Sequence, residues 1–250
     1  MVLAWLWKII GDIQMRSGFT CFFLLLLGST TVPPGVAHAL EESSRELQGR
    51  LVTAALDTDS PPDFREAIIF LRPDEPAAVD DLSAVVEMRM EGKAFKPGVL
   101  AVTVGTTVSF PNVDPIIHNA FSTSTSSAFD LGFYGAGEQR SVTFEQAGLV
   151  RVYCNVHHAM AGYIMALDTP YFTQPDAAGR FALTVPAGTS GTLYIWHPQA
   201  RVERLDIVAE SENAVANQPL QVSMTFNGRR VPRHLNKHGK PYRKLTRPGY

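Results

Sequence analysis

The stretch VRVYCNVHHAMAGYIMAL, residues 150–167, decides how this chain is read. Val150, Val152 and Cys154 alternate, so the thiol ends one face of a strand. GYIMAL (162–167) gives a second strand, and the loop between them carries His157, His158 and Met160. A thiol, imidazoles and a thioether within one short loop point to a chemical task rather than to packing. Upstream, PNVDPIIHNAFS (111–122) offers His118 at another strand junction.

Two imidazoles, a thiolate and a thioether make up the donor set of a type 1 copper site, a trigonal arrangement of two histidines and a cysteine with a weak axial methionine. Other chemistries fit less well. Structural zinc sites take four Cys or His ligands, and calcium and magnesium prefer oxygen. A cysteine nucleophile would need a base and an orienting group, and would leave Met160 without a role. A binuclear copper centre would need a second cysteine in the loop.

FKPGVLAVTVGTTVSFPNVD (95–114), HNAFS (118–122) and YCNVHHAM (153–160) together resemble the cupredoxins, over residues 88–167. The Cys-x-x-His-x-x-Met spacing is similar to that of the short-loop members such as amicyanin. The resemblance implies His118, Cys154, His157 and Met160 as ligands of one type 1 copper ion, with Asn119 beside the thiolate and tuning it by hydrogen bonding. His158 is expected not to be a ligand, because using it would break the Met160 spacing. The rest of the layout, with DTPYF (168–172), DAAGRF (176–181) and a Trp-His-Pro at 196–198, resembles periplasmic proteins labelled methylamine utilization proteins. A shared layout does not establish a methylamine pathway.

Outside this region, Pro and Gly punctuate short runs rich in Val, Phe and Thr, which favours strands. Expected strands include LQGRLVTAAL (47–56), REAIIFLRP (65–73), AVVEMRM (84–90), VLAVTVGTTVSF (99–110), SVTFEQAG (141–148), LVRVYC (149–154) and QPLQVSMTF (218–226). No long segment has a helical period. The fold class is therefore all-β: a cupredoxin Greek-key sandwich plus a second small β-sandwich. The turn grammar of DAAGRF followed by VPAG (185–188) resembles the transthyretin-like sandwiches of carboxypeptidase regulatory domains. Those open with strands like LQGRLVTA and AIIFLR, which here precede the middle region. The favoured organisation is one sandwich, 40–83 and 168–228, split by a cupredoxin insertion at 84–167. The rival is consecutive pieces, with the N-terminal strands extending the middle domain.

Both chain ends carry separate signals. MRSGFTCFFLLLLGSTTVPPGVAHA (15–39) has a basic start, an apolar run and a small-residue end. It reads as a secretory signal peptide within 1–39, cleaved after Ala39, with Met15 as an alternative start. An uncleaved membrane anchor is the rival, but the apolar run is short for a span of roughly 20 residues. Cleavage removes Cys21 and leaves Cys154 as the sole cysteine, an unpaired thiol in an oxidising compartment. Residues 40–228 hold 12 Lys/Arg and 23 Asp/Glu, a balance of −11. Residues 229–250 hold 8 Lys/Arg and no acid, and are expected to form a disordered basic tail. Its candidate partners are the acidic body, an acidic redox protein or an anionic membrane surface.

The function expected is a periplasmic electron carrier with redox proteins as donor and acceptor, no nucleic-acid partner and no enzymatic substrate. Copper delivery or storage, and a structural or adhesive module, are the alternatives. His197 is expected to be structural and Met88 and Met90 to be packing residues. His234 and His238 belong to the tail, and Phe133 and Tyr134 to a loop that borders the site.

Overall fold

A computed structural model describes residues 43–56, 62–79, 85–208, 219–227 and 234–242. The expected signal peptide at 1–39, with Met15, lies outside the described residues, as do 229–233 and 243–250 of the tail. The protein is all-β. In chain order the strands are β1 (Ser44–Leu56), β2 (Ile68–Pro73), β3 (Val85–Glu87), β4 (Arg89–Met90), β5 (Phe95–Lys96), β6 (Val99–Thr103), β7 (Thr107–Pro111) and β8 (His118–Ser124). They continue as β9 (Ser127–Tyr134), β10 (Gln139–Thr143), β11 (Gly148–Tyr153), β12 (Ala161–Leu167), β13 (Phe172–Thr173), β14 (Arg180–Pro186), β15 (Gly191–Trp196), β16 (Glu203–Ile207) and β17 (Leu220–Phe226). Among the described residues, no helix is long and apolar enough to cross a membrane.

Four sheets stack as layers. The outer three-stranded sheet β10-β7-β3 faces the five-stranded sheet β6-β12-β11-β8-β9. Between them lie Val102, Val108, Phe110, Phe144, Val150, Val152 and Ile164. The sheet β13-β2-β15-β16 faces β14-β1-β17 across Leu51, Ile69, Leu71, Phe181, Leu193 and Met224. A third apolar layer, with Ile68, Phe70, Val99, Tyr163, Met165 and Trp196, joins the two inner sheets.

This stacking explains two unbroken apolar runs. Along β2, Ile68 and Phe70 face one layer while Ile69 and Leu71 face the other. Along β12, Tyr163, Met165 and Leu167 point to the shared layer, and Ile164 and Ala166 to the interior beyond. A strand covered on both faces cannot alternate apolar with polar. Each fully buried Ile or Leu contributes about 1.5–3 kcal/mol, so both faces of these strands hold the stack together.

The N-terminal strands pair with the C-terminal ones. β1 lies antiparallel to β14 and parallel to β17, and β2 lies antiparallel to β13 and β15. The DAAGRF turn seats β14 beside β1: Asp176 Oδ1 accepts from the Ala178 and Arg180 amides, and Gly179 has φ +79°. A Cβ there would come within 2.6 Å of the Leu51 carbonyl oxygen, so the turn requires glycine.

The segment expected as one strand over 99–110 is two. Gly105, at φ +92°, turns the chain so that β6 joins the five-stranded sheet and β7 the three-stranded one. Met88 and Met90 are fully buried, in keeping with packing roles. The tail differs from its expected disorder over 234–242. There Asn236 closes a turn with Lys240 (N···O 2.8 Å), and the rings of His234 and Tyr242 lie on the body. Contacts with aromatic and acidic side chains offset the ordering that its composition alone would not support.

Candidate metal centre

Three segments meet at one end of the first sandwich. β8 begins at His118, β11 ends at Tyr153 just before Cys154, and the loop 154–160 leads into β12. The alternation of β11 turns Val150, Val152 and Cys154 inward, so the thiol is fully buried at the edge of the core. The loop is closed on itself. The Cys154 amide donates to the Met160 carbonyl (3.2 Å) and the Met160 amide to the His157 carbonyl (2.9 Å). That closure brings Met160 back under the loop, fully buried beside Cys154 in the same apolar cluster.

Cys154 Sγ lies 3.8 Å from His118 Nδ1 and 3.9 Å from His157 Nδ1, and the two nitrogens are 3.1 Å apart. The point equidistant from all three atoms is about 2.1 Å from each, within the bond lengths of a first-row divalent ion to imidazole nitrogen or thiolate, about 2.0–2.3 Å. Sequence reasoning singled out His118, Cys154 and His157, and these three donor atoms converge. Met160 lies in the loop of Cys154 and His157 and in the apolar cluster of Cys154. His158, not expected as a ligand, is exposed.

The tautomer of His118 is set by a residue that sequence reasoning missed. His118 Nε2 lies 2.8 Å from Asp114 Oδ2. Asp114 also accepts from the Lys93 amide (2.9 Å) and the Gly92 amide (2.7 Å). These backbone donors, Lys93 foremost, together with His118, hold its carboxyl down at about 2 against the burial that opposes them. An ionised carboxylate can only accept, so Nε2 carries a proton, and the neutral ring then has its lone pair on Nδ1, toward Cys154. The spacing Asp-x-x-x-His in DPIIH (114–118) was the available signal. At His157, burial and then the neighbouring His118 push the imidazole pKa below its usual value, favouring the neutral ring that a metal needs.

Two asparagines brace the segments that carry His118 and Cys154. Buried Asn112 donates to the carbonyls of Ile116 (2.8 Å) and Tyr134 (3.1 Å) and accepts from the Asp114 amide (3.1 Å). Asn119 was expected beside the thiolate. Its Oδ1 accepts from the Asn155 amide (3.3 Å), one residue past Cys154, and its Nδ2 donates to Asp130 (2.8 Å) and Gly132 (2.9 Å). It thus ties the His118 strand to the cysteine loop through the backbone. Tyr134, given no role from sequence, is buried and donates to the Phe110 carbonyl (2.8 Å), while Phe133 is half exposed.

No protein-family model matches the chain, and no curated protein matches it. Among solved structures, it is similar to a purple cupredoxin from Nitrosopumilus maritimus at 24% identity, covering 34% of this chain and 99% of that one, with a TM-score of 0.29. A Cu(I) methionine-to-alanine variant of amicyanin matches at 19% identity, over 40% of this chain and 98% of that one, with a TM-score of 0.32. A reduced tryptophan-to-tyrosine variant of amicyanin matches at 24% identity over the same shares, with a TM-score of 0.31.

Proposed function

We propose that this protein is an exported type 1 copper protein that carries single electrons between redox proteins in the periplasm and has no substrate of its own. The observation that carries the reading is the triangle of His118 Nδ1, Cys154 Sγ and His157 Nδ1, with the buried thioether of Met160 in the same loop. Copper bound there would supply reversible one-electron exchange between Cu(II) and Cu(I).

The chain's own residues serve such a carrier in three ways. Asp114 fixes the His118 ring, so its lone pair does not reorient when charge changes. The Asn119–Asn155 bond and the closed 154–160 loop hold Cys154 against β8, limiting the movement of ligands between oxidation states. Burial of Cys154, His118 and Met160 excludes water from three of the four ligands, while His157 stands between interior and surface as the route out. The methylamine utilization layout that the sequence resembles is compatible with this role, and no pathway follows from it.

The test is a titration of the mature protein with Cu(II). One equivalent is expected to give an intense thiolate-to-copper absorption band, and Cys154→Ser to abolish it while the far-ultraviolet circular dichroism remains that of a β protein. A variant that keeps the band would overturn the thiolate assignment.

A further inference from the structure

The basic tail crosses the same end of the molecule as the metal loop. His234 stacks on Tyr153, with ring centroids 3.8 Å apart and planes at 13°, and its Nε2 donates to the His158 carbonyl (3.2 Å). Tyr242 covers the His158 ring at 3.5 Å. Between them, the Lys237 amide donates to Asn155 Oδ1 (3.2 Å) and its ammonium to Asp130 Oδ2 (2.7 Å), above the Phe133 ring (4.9 Å). The Lys237 side chain is only 16% exposed, unlike a loose surface ion pair.

The segment is shaped for this contact. Asn236 Oδ1 accepts from the amides of His238 (2.9 Å) and Lys240 (3.0 Å), and Gly239 takes φ +70°, so a tight turn presents Lys237 to the body. The residues it meets are also those that hold the metal loop. Asn155 and His158 flank His157, and Asp130 anchors Asn119, which in turn holds the Asn155 amide.

We infer that residues 234–242 form a strap, an intramolecular partner for the surface of Asp130, Phe133, Tyr153, Asn155 and His158, and that this strap controls access to the metal loop. Opening the loop requires two ring stacks and the Lys237 bonds to be lost first. A redox protein approaching the His157 edge meets the strap before it meets the loop. Control over electron access presumes the metal centre proposed above, whereas the contact itself does not.

The full chain in its metal-free form provides the first measurement: alkylation of buried Cys154 by iodoacetamide, followed on the Cys154 peptide. Losing two stacking contacts in His234→Ala/Tyr242→Ala is expected to speed alkylation about tenfold. Lys237→Ala is expected to give a smaller acceleration. Amide exchange in β1 and β14 should match the wild type, which shows that the fold is intact. Equal alkylation rates in all three proteins would overturn the strap. The second measurement is reduction of the copper-loaded proteins by uncharged hydroquinone, which should accelerate in the same order. Unchanged reduction beside faster alkylation would overturn the control of electron access. Failure of every protein to take up copper would count against the electron-carrier function and would leave alkylation to decide the strap.

Discussion

His118 and His197 are equally buried, at 0% and 1% exposure, one in each sandwich. His197 has both ring nitrogens occupied by backbone: Nδ1 accepts from the Gln199 amide (3.0 Å) and Nε2 donates to the Asp63 carbonyl (3.2 Å). Its ring packs edge-on against Phe226. His118 Nε2 is held by a carboxylate, and its Nδ1 meets a thiol and a second imidazole. Burial therefore does not separate a ligand from a structural histidine. A ring held by backbone on both nitrogens closes a corner of the fold, whereas a ring held on one nitrogen and facing other donor atoms with the second is set up to coordinate.

Exchanging the two roles gives the largest expected effects. His118→Ala should weaken metal binding by more than about 100-fold, since it removes a proposed ligand outright, whereas His197→Ala should leave affinity unchanged; competition with a chelator of known affinity measures both. Asp114→Asn should come next, with affinity lowered roughly 10–100-fold and the charge-transfer band retained, because it loosens the ring without removing it. In stability the order reverses. His197→Ala leaves the buried Gln199 amide without its partner and removes the ring that packs on Phe226, and should destabilise by about 1–3 kcal/mol in denaturant unfolding.

Two smaller effects sharpen the contrast. Met160→Leu should keep copper and colour but shift the reduction potential in protein-film voltammetry, because a thioether would be the weakest donor of the proposed set. Burial lowers the pKa of His197 below the ordinary value of 6.5, with its Asp63 contacts opposing. The unfolded chain then binds more protons than the folded one just below that value. Stability contributed by neutral His197 is complete above pH 6.5 and declines as the pH falls below it. Unfolding titrations of His197→Ala should show a weaker decline over that window.

The convergence of Cys154 and His157 with His118 was legible because most of its signal is local: Cys154, His157 and Met160 lie within seven residues, and a thiol at the end of an alternating strand has few other uses. Asp114 was not legible, because its role depends on the Gly92 and Lys93 amides reaching it from another turn. The strands β8 and β9 were missed as well. The Ser/Thr run at 122–127 lacks an apolar period, and β9, at the margin of its sheet, has half-exposed and exposed positions up to its buried end at Tyr134. Pairing with a neighbour, not burial, makes it a strand. REAIIFLRP was read as one strand, but Arg65 and Glu66 belong to a 3-10 turn capped by Asp63 and the strand begins at Ile68; nothing in its own residues tells which layer covers which face.

The parallel pairing of β1 with β17 has a mechanical consequence. The first strand enters the sheet at Ser44 and the last leaves it at Phe226, opposite Leu56 at the far end of β1. Tension applied to the two ends would slide these strands along each other in shear. The hydrogen bonds between Gly49–Leu220 and Leu56–Phe226 would share that load instead of parting one after another. Force applied at Ser44 against an anchor at Phe226 would thus load this sheet in its most resistant direction.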